Sequence, residues 1–201
     1  MARTASPPRE EQHPPLSVLR TQAVILILST VLYATAEQLY AAAGGPVPLL
    51  LAVVAGALFG LLLSLLVHEW SHYAGARLAA GQILPVTRRR LFVFNWDFTH
   101  NGPRQFMAMS YAGTAGSLLT LVLLVLLLSP PSPGGAAAIA ASAGSLAFAA
   151  VIEWPVLLRV HRGAPPLEAL QGIGRNTLLI AAAVSALVLL LVALSYLPLL
   201  H

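Results

Sequence analysis

His68-Glu69-Trp70-Ser71-His72 places two imidazoles and a carboxylate within five consecutive residues. On a helix, positions i and i+4 share a face with Cβ atoms about 5 to 6 Å apart, which suits two ligands of one tetrahedral zinc ion. Glu69 then sits beside the pair, free to act as a base. Zinc lowers the pKa of water toward about 7, and an adjacent carboxylate can take that proton as the water attacks a carbonyl, then pass it to a leaving amine. This is the chemistry of peptide hydrolysis. Chance produces such a motif in roughly 0.5% of chains of this composition. A cluster serving helix packing alone has no need of two His and a Glu on one turn.

The elements that must hold these residues are apolar. Of 201 residues, 58% are hydrophobic and 9% are charged, against roughly 25% charged in an ordinary soluble domain. A soluble globule is excluded, and the chain is expected to be an all-α polytopic helix bundle in a membrane. Five stretches are long enough to cross: about 17–43, 49–80, 105–129, 136–158 and 177–199. The breaks at Gly44-Gly45-Pro46, Ser129 to Gly135 and Gly163 to Pro166 are turn-formers. The longer link Gly81 to Arg104 carries Phe92, Phe94, Trp96 and Phe98 at every second position, the pattern of a surface hairpin between the second and third spans. Such a strand could pair with an unwound substrate segment, or simply anchor at the interface.

All eleven basic residues are arginine, and with the N-terminus inside every one lies in a cytoplasmic segment or at a cytoplasmic helix end. The expected protein is therefore a multi-pass component of a bacterial cell membrane with its C-terminus outside. Residues 1–16 are expected to be a disordered cytoplasmic tail and 17–201 the membrane domain. The arginines are spread through short loops, so they report topology, and nucleic acid is not an expected partner. Without cysteine there is no disulfide, thiolate metal site or cysteine nucleophile.

An ionisable group at the centre of a membrane helix costs about 2.5 to 3.5 kcal/mol, which singles out His68, Glu69 and His72 after the run Leu61 to Val67. Glu153 ends an apolar helix beside Pro155 and is costly there unless paired or metal-bound. Glu37, near the outer end of the first span, can reach headgroups. Asp97 and His100 lie in the arginine loop and read as surface residues.

The segment Val67 to Leu78 resembles the zinc helix of the site-2 protease family of intramembrane zinc metalloproteases, in which small residues and an Arg-Leu follow the second His. Tyr111-Ala112-Gly113-Thr114-Ala115-Gly116-Ser117 resembles that family's Ala-Gly-Pro-x-x-Asn helix, with Thr114 for the Pro and Ser117 for the Asn. The family draws its third ligand from an Asp-Gly pair, and Pro165-Pro166-Leu167-Glu168-Ala169 is similar to that region with Glu for Asp. The resemblance implies a metal set of His68, His72 and Glu168, with Glu153 as the rival third ligand, and Glu69 as the catalytic base. It further implies a zinc-dependent protease that cuts a membrane-spanning protein near the cytoplasmic side. The altered motifs leave open a catalytically inactive membrane module that holds partners without cutting them.

Overall fold

The computed structural model describes residues 16–84, 93–128, 132–196 and 198. Its order is α1 (Leu16–Ala43), α2 (Pro46–Leu78), β1 (Ile83–Leu84), β2 (Asn95–Trp96), α3 (Pro103–Leu127), α4 (Pro133–His161), α5 (Pro166–Gln171) and α6 (Arg175–Tyr196). Five of these helices are long and apolar enough to span a bilayer, so the protein is an all-α, multi-pass membrane protein with a small hairpin between α2 and α3. The tail expected at 1–16 lies outside the described residues except for Leu16, which opens α1.

Proline sets where the helices start. Pro46, Pro103, Pro133 and Pro166 each occupy the first helical position, where a missing N–H costs nothing and a fixed φ favours the helix. The apolar pattern alone had α2, α3 and α4 begin two or three residues later, because proline reads as a break, and it placed no helix at Pro166. Between α1 and α2, Gly44 and Gly45 take φ of 60° and 82°, a left-handed turn that residues with a Cβ rarely adopt. The start of α4 is doubly satisfied: the Ser132 side chain accepts from the Gly135 N–H, and Glu37 Oε1 of α1 accepts from the Gly134 N–H at 2.8 Å. Glu37 is thus a cap on a neighbouring helix rather than a free group reaching for headgroups.

The bundle is built around α2, which packs on α1, α3 and α4, while α6 packs on α4. Without a hydrophobic drive between helices in lipid, close approach depends on small residues. Gly56 and Gly60 of α2 meet the α4 backbone at Gly134 and Ala138, where an added Cβ would overlap main-chain atoms. Gly75 of α2 lies equally close to Ala112 on α3, and Gly116 of α3 to the Ser71 side chain. The first turns of α4, Pro133 to Gly144, are buried almost throughout. Leu and Val side chains on the outer faces remain exposed, toward lipid.

Beneath the bundle, β1 and β2 pair antiparallel with Ile83 opposite Trp96 and Leu84 opposite Asn95. Asn101 locks the hairpin's base: its Oδ1 accepts from the Gln82 N–H at 2.7 Å and its Nδ2 donates to the Gln82 and Asp97 carbonyls. Phe94 and Trp96 turn inward onto a cluster with Ala76, Phe106, Met109, Val156 and Val160. The aromatics Phe94 and Trp96 therefore cover the last turns of α2 and α4 and the first turns of α3. Phe92 lies outside the described residues.

Candidate metal centre

Helix α2 carries His68 and His72 one turn apart on the side facing α3 and α4. Glu153 enters from α4, and three atoms converge. His68 Nε2 lies 2.9 Å from Glu153 Oε1, His72 Nε2 lies 3.2 Å from the same oxygen, and the two Nε2 atoms are 2.9 Å apart. The opposite ring nitrogens are fixed by α3. His72 Nδ1 is 2.8 Å from the Met109 carbonyl and His68 Nδ1 is 2.9 Å from Ser117 Oγ. A carbonyl only accepts, so His72 Nδ1 carries the hydrogen and, in the neutral ring, Nε2 presents a lone pair. A hydrogen bond on the far nitrogen is how metal-binding histidines are oriented.

Lone pairs and a carboxylate brought this close repel one another unless a proton or a cation lies among them. The edges of a tetrahedron around an ion with ligands at about 2.0 to 2.1 Å are roughly 3.3 Å, so this triangle accommodates such an ion with a few tenths of an ångström of expansion. His68, His72 and Glu153 thus form a largely buried group that could hold a metal ion, and it is the one such group among the described residues. Two imidazoles and one carboxylate suit a divalent first-row ion.

Helix α3 is fitted to this group residue by residue. Thr114 Oγ1 donates to Glu153 Oε2 at 3.2 Å, leaving Oε1 for the histidines. Ser117 holds His68. A Cβ on Gly113 would overlap the His72 ring, and one on Gly116 would overlap Ser71. Thr114 and Ser117, which in sequence are only departures from a resembled motif, therefore touch two of the three ligating side chains. The spacing of small and hydroxyl residues at 113, 114, 116 and 117 was the available signal. The Met109 carbonyl has none, since any residue supplies one.

Glu168, favoured on resemblance as the third ligand, is not gathered into this group. Helix α4 runs through Pro155 to His161, so the chain passes about 12 Å beyond Glu153 along the helix axis before it turns. In α5 the inward side chain is Ala169, buried with Val156 and Val160, and Glu168 is exposed. The rival, Glu153, is the carboxylate the structure brings to His68 and His72. Glu69 is partly buried on α2 and lies within electrostatic range of His72, His68 and Glu153.

Asp97 and His100 pair with each other, at 2.7 Å, outside the metal group. Asp97 Oδ1 also accepts from the Thr99 hydroxyl and N–H at 2.6 and 2.9 Å. The Thr99 hydroxyl, then His100, hold its carboxyl well below the usual carboxylate range. These bonds shape the turn that leads from β2 to α3.

Compared with protein-family models, curated proteins and solved structures, the chain has no significant match. The functional reading rests on geometry and chemistry.

Proposed function

We propose that this chain is an intramembrane zinc metalloprotease of the site-2 protease type, which hydrolyses a peptide bond of a membrane-spanning protein near the arginine-rich, cytoplasmic side. The observation that carries it is the convergence of His68 Nε2, His72 Nε2 and Glu153 Oε1 at 2.9 to 3.2 Å, with both histidines in a motif whose second residue is a carboxylate. Two His and one Glu form a known type of catalytic zinc set, one that leaves a fourth position free. Bound by these three residues, zinc would supply Lewis acidity that acidifies water and polarises a peptide carbonyl.

The chain's own residues do the rest. The Glu69 carboxylate takes the proton from water as the new C–O bond forms, then gives it to the amide nitrogen as the C–N bond breaks. Met109 and Ser117 keep both rings aimed at one point, and Thr114 keeps Glu153 from rotating away. The inward aromatics of the hairpin pack on the cluster that contains Met109, whose carbonyl holds His72.

The test is Glu69→Gln in protein reconstituted into liposomes with a reporter containing one transmembrane helix. Zinc content is expected to stay at one per chain while cleavage falls by about 10² to 10⁴, the usual contribution of a general base. Retained cleavage in that variant sinks the mechanism. A wild type that holds zinc and cleaves no transmembrane reporter is instead a membrane binding module.

A further inference from the structure

A second feature lies on the opposite side of α2. Helices α1 and α2 run antiparallel and are joined by Trp70 Nε1, which donates to Gln22 Oε1 at 2.8 Å. Beside that bond is an open cleft of about 430 Å³, walled by Leu19, Ala23 and Leu26 of α1 and by Leu63, Val67 and Trp70 of α2. With Gln22 bonded to Trp70, the lining positions run from 19 to 26 on α1 and from 74 back to 63 on α2, so the cleft runs lengthwise along the pair. A helix about 10 Å across, over the roughly 10 Å of rise from Leu19 to Leu26, would need about twice that volume. One extended hydrocarbon chain fits, and hydrocarbon is what surrounds the helices at this depth.

The inner end of the cleft is positively charged. Arg20 follows the lining residue Leu19, and Arg77 stands three residues after the lining residue Ala74. Both are exposed, and among the described residues neither is paired with a carboxylate. With Gln22 opposite Trp70, Arg20 starts about 7 Å deeper than Arg77. Its long stem lets the guanidinium climb toward the surface, so the two cations reach one phosphate layer. Basic pockets between membrane helices are a recognised form of headgroup site.

We propose that this cleft binds one anionic phospholipid, with an acyl chain between α1 and α2 and its phosphate on Arg20 and Arg77. The lipid lies behind the helix that presents His68 and His72, and its binding does not depend on the metal or on proteolysis.

The test uses the full chain, purified in detergent and offered equal amounts of phosphatidylglycerol and phosphatidylcholine with identical acyl chains, read by native mass spectrometry. One phosphatidylglycerol per chain is expected, preferred roughly thirtyfold at the strength two such cations show toward anionic leaflets. The Arg20→Gln, Arg77→Gln double variant is expected to lose the preference. Ala23→Phe, at an exposed cleft position with both arginines intact, is expected to lose the lipid by filling its place. Glycerol phosphate without acyl chains is expected not to bind. Equal retention of the two lipids by the wild type, phosphatidylglycerol retained undiminished by either variant, or glycerol phosphate bound as well as the lipid, overturns the proposal.

Discussion

A carboxylate 85 positions away in sequence completes what two histidines begin. Removing it leaves two neutral ring nitrogens and an open site, so Glu153→Gln is expected to abolish stoichiometric zinc, whereas Glu168→Gln, at an exposed position, keeps it; metal content by elemental analysis decides. Thr114→Val takes away the donor on Glu153 Oε2 and is expected to weaken zinc about 10- to 100-fold, with Thr114→Ser restoring it, as measured by competition with a chromogenic chelator. The histidines and Glu69 were legible in sequence because helical spacing is local. Choosing between Glu153 and Glu168 was not, because it depends on α4 continuing through Pro155, and a proline inside an apolar run looks the same whether it ends or merely bends a helix. The two hydroxyls on α3 were visible only as substitutions, since a serine's partner is set by a helix that sequence does not place.

The five spans were read correctly in number and kind, and the late starts given to α2, α3 and α4 share one cause, the first-turn proline. Short α5 escaped notice because six residues carry too little periodicity. What positions the site is the close approach of α2 to α4 at Gly60, where a Cβ has no room against Ala138. Gly60→Ala is therefore expected to cost about 1 to 3 kcal/mol, lowering Tm by roughly 2 to 12 °C for a chain of this size, with loss of metal alongside. Gly174→Ala, which meets nothing nearby, is the neutral control in the same thermal scan. The hairpin offers a pH test. With the Asp97 carboxyl lowered in the fold, its contribution is complete above the unfolded value near 3.8 and is lost as pH falls through the folded value below that. Tryptophan fluorescence from Trp96 is expected to stay native down to about pH 4 and to change only under stronger acid; Asp97→Asn is expected to loosen the loop already at neutral pH.

At the scale of the whole molecule, five spans put the start of α1 and the end of α6 on opposite faces, and the arginine distribution read by the positive-inside rule proposes the α1 start as the inner one. An N-terminal tag is expected to be shielded from protease in intact spheroplasts and a C-terminal tag to be cut, as seen on immunoblots; the reverse pattern overturns the orientation. The whole bundle was the most legible part, because hydropathy and charge asymmetry act over many residues at once, while ligand choice turns on single ångströms. The distance along the chain between His68 and Glu153 also has a temporal side. At about 5 to 20 residues per second of synthesis, the carboxylate emerges roughly 4 to 17 seconds after the histidines, once α3 has been made. During that interval the nascent α2 must partition into the bilayer on the strength of its apolar run from Val47 to Val67, before Glu153 is there to meet its polar turn. On the proposed function, a chain stalled before α4 would be inserted yet lack the third ligand, which would make completion of the fourth span the step that separates an inert precursor from a protein able to take up the ion.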